Sequence, residues 1–216
     1  MGGVFELVVR SVAARNETQD RAEVFERDGA LIVVVADGAG GVGDGASASD
    51  AVVATVREII AERPFDPYDI RRWCEALAKL DVALAGIGET TAIVLVAGPH
   101  GIAGASVGDS EAWAIGARCD VLTEQQSRAR LGSRRARPVP FHRRALEGVL
   151  VVGTDGLFKS VPTDVIAKSC AVGDVEEVAE RLVRAPRLRS GGYLDDVAVV
   201  VCSPRPLLRT PRARAK

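Results

Sequence analysis

Residues 31–53 have the sequence LIVVVADGAGGVGDGASASDAVV and determine the architecture expected for the whole chain. The apolar, β-branched run 31–35 predicts a buried strand that ends at Asp37-Gly38. The glycine-rich residues 38–43 predict a turn, and a small-residue segment with helical spacing follows them. A carboxylate that leaves water without a partner is costly, so Asp37, at the end of a buried strand, needs a compensating group.

The composition is that of an ordinary soluble domain. The 216 residues suit one domain with a sizeable core, and 47% apolar residues, 26% charged residues and a net charge of -1 give no general attraction to nucleic acid or membrane. The four cysteines are far apart and form no CxxC pair, and neither a signal peptide nor a membrane-spanning apolar run is present. We therefore expect a reduced, cytoplasmic, monomeric protein without a nucleic-acid or membrane partner.

The order of the predicted elements favours an α+β fold over a doubly wound parallel sheet. The predicted strands span residues 5–14, 22–25, 31–36, 90–97, 101–107, 111–115, 149–153 and 197–202. The predicted helices span residues 47–61, 67–87, 164–170 and 175–184. The dipeptide Asp28-Gly29 predicts a hairpin, and strands joined by so tight a turn are antiparallel.

Three apolar strands have an aspartate at one end, namely Asp37, Asp155 (in a predicted Asp155-Gly156 turn) and Asp195, and Asp109 lies in a turn between two others. One aspartate in such a place usually forms a turn or caps a helix. If these strand ends converge, however, their carboxylates repel one another and need cations. Hard oxygen ligands without a nearby histidine or thiolate favour Mg²⁺ or Mn²⁺ over zinc. Spacing alone leaves both interpretations open.

Residues 38–43, GAGGVG, also fit the GxGxxG pattern of a dinucleotide-binding turn. Asp37 would repel a pyrophosphate there. The preceding connection is a hairpin, and no parallel strand ending in an acid follows the helix. We therefore disfavour a dinucleotide site.

Six blocks of sequence, in order, resemble those of the bacterial type 2C, metal-dependent serine/threonine protein phosphatases. They are RNETQDRAEV, ADGAGG, TTAIVLV, ASVGDSEAWAI, VVGTDGLFKSV and LDDVAVVV, and they extend over residues 15–202. The resemblance implies a four-layer αββα sandwich of two antiparallel sheets flanked by helix pairs. It also implies a phosphatase domain over residues 1–203, followed by a flexible basic tail at 204–216.

The same resemblance implies a metal centre. Asp37 matches the aspartate that bridges two Mn²⁺ or Mg²⁺ ions, and the carbonyl of Gly38 matches a group that assists it. Asp155 and Asp195 match further metal ligands. Asp109 matches an accessory position for a third ion, shared with Asp155.

Two residues match catalytic positions of the family. Arg15 matches the arginine that binds the substrate phosphate, and Asp20 matches the acid that holds metal-bound water. The implied function is hydrolysis of phosphoserine and phosphothreonine in proteins by a metal-activated water, on substrates of a serine/threonine kinase. The alternative is a catalytically weak, phosphatase-like module that binds a phosphoprotein or partner. Two departures from the family pattern are Gln19 in place of glutamate and Ala39 in place of a histidine that some members use as an acid.

Residues 125–146 contain seven arginines and no acid, in the place where relatives have a flap. Only 46 residues separate Asp109 from Asp155, so the resemblance implies a short or absent flap. Pro138 and Pro140 predict that regular structure is broken there. The basic segment could be a solvated loop, offset the acidic site, or, as a mobile loop, attract phosphoprotein substrates.

Overall fold

The computed structural model describes residues 5–124 and 128–204, which form two five-stranded sheets and a two-stranded ribbon. The strands are β1 Phe5–Val12, β2 Arg21–Arg27, β3 Ala30–Ala36, β4 Gly38–Gly43, β5 Gly88–Thr90, β6 Ala92–Gly98, β7 Gly101–Val107, β8 Glu111–Ile115, β9 Cys119–Val121, β10 Val139–Arg143, β11 Val149–Gly153 and β12 Val197–Pro204. The helices are α1 Gly45–Ala61, α2 Ile70–Ala83, α3 Asp155–Phe158, α4 Thr163–Cys170 and α5 Val175–Arg184. The predicted tail, after its first residue Pro204, lies outside the described residues.

Every strand pair in the two sheets is antiparallel. One sheet has the order β1-β12-β11-β8-β9, and the other has the order β10-β7-β6-β3-β2. The predicted hairpin joins β2 to β3, where Asp28 and Gly29 have positive φ values of 52° and 77°. Both residue types tolerate that conformation, which explains the tight turn.

Strand β3 is apolar along its whole length because both of its faces are covered. Ile32 and Val34 point into a core shared with α1 and α2, whereas Leu31, Val33 and Val35 point into the core between the two sheets. Each of these side chains is at most 2% exposed. Burial of one such side chain stabilises the fold by about 2 kcal/mol, so this strand anchors two cores at once.

Strand β12 has the same role in the other sheet. Val199 and Val201 pack in the core that contains α4 and α5, and Val200 and Cys202 pack between the sheets. The layers are therefore helices, sheet, sheet and helices. This arrangement confirms the predicted α+β sandwich.

The glycine-rich residues 38–43 form strand β4 rather than the predicted turn, and β4 pairs with β5. Gly43 has a φ of +67°, and a Cβ atom added to it would lie 2.2 Å from the carbonyl oxygen of Ile87. Glycine therefore permits a close approach of two backbones in an antiparallel ribbon. No parallel β-α-β unit surrounds this segment among the described residues, in keeping with the rejection of a dinucleotide site.

The expectation that Pro138 and Pro140 break regular structure is wrong for Pro140, whereas Pro138 lies before the strand in residues without regular structure. Pro140 lies within strand β10, which is the edge strand of its sheet, and proline is tolerated at a sheet edge because one side of that strand needs no N–H donor. The backbone N–H groups of Arg134 and Ala136 donate to the carboxylate of Asp81 at 2.9 and 3.0 Å. These contacts hold residues 134–136 against helix α2. The described part of residues 116–148 forms two edge strands with their connections, in keeping with a short or absent flap.

Asp155 and Gly156 open the one-turn helix α3 and do not form an isolated turn. The described helices include none that is both long and apolar enough to cross a membrane. The thiols of Cys74, Cys119, Cys170 and Cys202 are free, as their wide spacing predicts.

Candidate active site

A cleft of about 490 Å³ opens where the β1–β2 loop, the end of β3 and the start of β12 meet. Its lining residues are Ala14, Arg15, Glu17, Gln19, Asp20, Asp37, Gly38, Gly40, Gly41, Leu194, Asp195 and Asp196. The structure thus brings together five of the predicted site residues, which are Arg15, Asp20, Asp37, Gly38 and Asp195. The other two, Asp155 and Asp109, lie next to this cleft and are described below.

The backbone of Asp37 is fixed by two adjacent threonines at the junction of β5 and β6. The N–H of Asp37 donates to Oγ1 of Thr91 at 3.0 Å. Its carbonyl accepts hydrogen bonds from the N–H of Thr91 and from Oγ1 of Thr90, both at 2.9 Å. Oγ1 of Thr91 lies 2.7 Å from Oγ of Ser110, in the turn that follows Asp109. The backbone where the chain leaves β3 is therefore held in place.

Gly38 occupies a position where no side chain fits. A Cβ atom added to it would lie 2.4 Å from the carbonyl oxygen of Gly45 and 2.8 Å from that of Gln19. Both contacts are with backbone, which cannot move aside. The absence of a side chain lets the β1–β2 loop close over the end of β3, and this closure forms one wall of the cleft.

Three carboxyl groups at the cleft bind their protons more tightly than usual. Burial, followed by the nearby charges of Asp20 and Asp155, raises the pKa of Asp37 to about 9. Burial also raises the pKa of Asp20 to about 7, although a hydrogen bond with Thr154 opposes the change and neighbouring carboxylates add to it. The pKa of Asp195 is raised by burial and by Asp155. The site therefore favours either protons or added positive charge.

Several observations test whether divalent cations fit this donor set. Asp20 is 4% exposed, and among the described residues its buried Oδ2 atom has no hydrogen-bond partner. No group of three or more acidic, histidine or cysteine side chains in the described chain could hold an ion by itself. Mg²⁺ and similar ions usually bind one or two carboxylates and keep several waters, so they do not require such a group. Asp37, Asp155 and Asp195 offer only oxygen donors and lie close enough to repel one another, so they fit hydrated Mn²⁺ or Mg²⁺.

Asp155, which is 6% exposed, shares a hydrogen bond with Asp37 and is joined on its other side to Lys159. The Nζ atom of Lys159 donates to Oδ2 of Asp155 at 2.5 Å and to Oδ2 of Asp109 at 2.7 Å. Burial lowers the pKa of Lys159, but its hydrogen bonds with the two carboxylates outweigh burial and raise it. Asp109 lines a neighbouring cleft of about 500 Å³ rather than the first one. The structure therefore connects Asp109 to the site through a lysine.

Asp196 is a site residue for which the sequence suggested no role. Its Oδ1 atom accepts the N–H of Ala14 at 2.8 Å, and its Oδ2 atom accepts the N–H of Gln19 at 2.8 Å. One carboxylate thus holds both ends of the loop that carries Arg15 and Asp20. Ser49 supports the same loop by donating from Oγ to the carbonyl of Gln19 at 2.6 Å.

The sequence matches no protein-family model and no curated protein, but the fold matches solved structures over nearly all of the chain. A point variant of a bacterial serine phosphatase matches with a TM-score of 0.82 and 21% identity, over 94% of this chain and 100% of the other. Serine/threonine phosphatase Stp1 from Staphylococcus aureus matches with a TM-score of 0.79 and 18% identity, over 94% and 95% of the two chains. The catalytic domain of serine threonine protein phosphatase PstP, in complex with two manganese ions, matches with a TM-score of 0.77 and 21% identity, over 93% and 98%.

The chain has the fold of the bacterial serine/threonine phosphatases. The fold implied by the sequence blocks is thereby confirmed. In this phosphatase fold, Arg15 is exposed at the cleft and is the one lining residue that carries a positive charge. Its planar guanidinium, facing an acidic cleft, is suited to two parallel hydrogen bonds with a phosphate.

Three groups of this phosphatase-fold site were not assigned from the sequence as functional residues. The threonine pair at 90–91 belongs to one of the sequence blocks, and its role follows from the contact between the β5–β6 junction and the end of β3. Asp196 follows another aspartate, and this Asp-Asp pair before a buried strand is the signal that could have identified it. Lys159 lies four residues after Asp155, a spacing that brings side chains together only if the segment is helical.

Proposed function

We propose that this chain is a metal-dependent phosphatase that hydrolyses phosphoserine and phosphothreonine in proteins. The observation that carries the proposal is the convergence of the carboxyl groups of Asp20, Asp37 and Asp195 beside Arg15 in a cleft of this fold, with Asp155 next to the cleft. The pKa values of Asp20, Asp37 and Asp195 are raised, and perturbed pKa values that cluster in one cleft are typical of a functional site. The two manganese ions of the PstP structure support Mn²⁺, with Mg²⁺ as the other candidate.

Two ions would be held by the carboxylates of Asp37, Asp155 and Asp195 and by the carbonyl of Gly38. When bound, they supply an activated water and positive charge for the phosphoryl oxygens. Arg15 would bind and orient the phosphate of the substrate through its guanidinium. Because Asp20 has a free buried oxygen, it would accept a hydrogen bond from water in the cleft and orient it.

The chain supplies no acidic side chain at position 39, where Ala39 is 5% exposed. A protein serine released by cleavage would therefore receive its proton from water in the cleft. The substrate would be a phosphoprotein made by a serine/threonine kinase, and an open cleft at the ends of β3 and β12 can accept an extended phosphorylated segment. We further propose a single domain that acts as a monomer in the cytoplasm.

The test is release of phosphate from phosphoserine and phosphothreonine peptides in the presence and absence of Mn²⁺. We expect turnover with Mn²⁺, none with a chelator, and a loss of about 100-fold or more in the Asp155→Asn variant. The matched control is Asp164→Asn, which removes an exposed carboxylate that pairs with Lys168 on α4, at the same four-residue spacing. Peptide binding without any phosphate release would instead show a binding module.

A further inference from the structure

Lys159 lies between the two carboxylates that the sequence resemblance connects with a third metal ion. It follows the last residue of α3, and its N–H donates to the carbonyl of Asp155 at 2.8 Å. Its ammonium bonds Asp155 at 2.5 Å and Asp109, from the β7–β8 turn, at 2.7 Å. One cation thus joins the helix to the turn.

The backbone around Lys159 is fixed by close packing. A Cβ atom added to Gly156 would lie 2.0 Å from the carbonyl oxygen of Asp196, so α3 lies directly against the start of β12. The ring of Phe158 packs on Trp113, with 4.8 Å between ring centroids. These contacts hold α3, from whose end the Lys159 side chain reaches both carboxylates.

The donor set at this position does not fit a third divalent ion. A divalent ion between the two carboxylates would bind at about 2.0–2.6 Å, where Lys159 already bonds the Oδ2 atom of each, and the ammonium would repel it. The other oxygen of Asp109, Oδ1, is buried and has no hydrogen-bond partner among the described residues. Removal of the lysine would therefore leave two neighbouring carboxylates with an unmet need for positive charge.

We propose that Lys159 is a built-in cation that replaces a third metal ion between Asp109 and Asp155. This inference deepens the proposed phosphatase function and takes its setting from it. The ammonium neutralises the side of Asp155 that carries the Lys159 contact, at Oδ2, at every metal concentration. Metal binding by Asp155 is thereby restricted to the side that faces Asp37.

The experiment counts Mn²⁺ ions bound per chain by equilibrium dialysis. The Lys159→Met variant should bind one ion more than the wild type, and Lys159→Met combined with Asp109→Asn should return to the wild-type count. Lys159→Arg, which keeps the positive charge, should also stay at the wild-type count. The matched control is Lys168→Met, because Lys168 pairs with Asp164 at 2.8 Å in the same i, i+4 arrangement but outside the site.

A Lys159→Met count equal to that of the wild type, or an equal gain in Lys168→Met, overturns the assignment. The Lys159→Gln variant repeats the measurement if the methionine variant does not fold, as judged by circular dichroism. A wild-type chain that binds no Mn²⁺ contradicts the proposed phosphatase function. Even if the wild type binds no Mn²⁺, one additional ion in Lys159→Met supports the role of Lys159, and no additional ion overturns it.

Discussion

Replacing Asp37 by asparagine should stabilise the metal-free protein at neutral and alkaline pH while removing its response to metal. In the folded protein, burial raises the pKa of Asp37 to about 9, whereas an unfolded aspartate has a pKa near 3.9. Folding at pH values between these two therefore requires proton uptake by Asp37. The stability linked to this group is fully present below about pH 4 and is lost as the pH rises to about 9.

Each pH unit in this window changes the free energy of unfolding by about 1.4 kcal/mol. Between pH 5 and pH 8, Asp37 alone should lower the stability of the metal-free wild type by up to about 4 kcal/mol. Asp20 also lowers the stability as the pH rises to its pKa of about 7. Because the two carboxyl groups interact, the combined loss of stability is smaller than the sum of the two separate losses.

Urea unfolding in a chelator at several pH values, followed by the fluorescence of Trp73 and Trp113, measures this slope. Asp37→Asn should be more stable than the wild type at pH 8 and less dependent on pH, and Asp164→Asn should keep the wild-type slope. Saturating Mn²⁺ should stabilise the wild type by about 3 kcal/mol at a hundred times its dissociation constant, and the Asp37→Asn variant far less. An Asp37→Asn protein that is less stable than the wild type at pH 8, with an unchanged slope, would refute the reasoning.

Three further predictions concern the surroundings of the metal site. Arg15→Ala should lower kcat/KM by about 100-fold, with partial recovery in Arg15→Lys, and leave the Mn²⁺ titration midpoint unchanged; a shifted midpoint would contradict phosphate binding. Asp196→Ala should lower the free energy of unfolding by about 2–3 kcal/mol and lower kcat/KM, because the β1–β2 loop loses two charge-assisted hydrogen bonds. Asp196→Asn should recover part of the stability and part of the activity. Wild-type activity together with wild-type stability in urea would contradict this prediction. A triple variant with Arg134→Asn, Arg135→Gln and Arg137→Gln should lower activity on a phosphoprotein about tenfold at low salt but not on para-nitrophenyl phosphate. Asparagine is used at position 134 because it tolerates the positive φ of 58° there. Equal losses on both substrates would place the segment in the catalytic site.

Much of the fold could be predicted because apolar runs and turn residues act locally. The run that forms β3 is apolar at every position, which indicates burial on both faces, and the Asp28-Gly29 dipeptide gave the correct hairpin. Metal binding could be predicted for the aspartates at the strand ends only through the resemblance of the sequence blocks. Their spacing alone did not distinguish a metal site from turn formers, because convergence of the strand ends is a property of the sheets.

The failures have physical reasons that lie in tertiary contacts. Residues 38–43 have the composition of a turn, but β5 approaches so closely that glycine is required for pairing. Pro140 is compatible with a strand only because β10 is at a sheet edge. The place of a strand within its sheet cannot be read from the local sequence. Lys159 and Asp196 bond with groups far along the chain, so local patterns contain no information about their partners.

The most direct test of the metal-dependent phosphatase assignment is the rate of para-nitrophenyl phosphate hydrolysis by the metal-stripped protein as Mn²⁺ is added. The assignment predicts a rate near zero without metal, a saturable increase with Mn²⁺, and no increase in Asp37→Asn, with Asp164→Asn behaving as the wild type. A wild-type rate that is independent of Mn²⁺, or an Asp37→Asn variant that is as active as the wild type at saturating Mn²⁺, would contradict it.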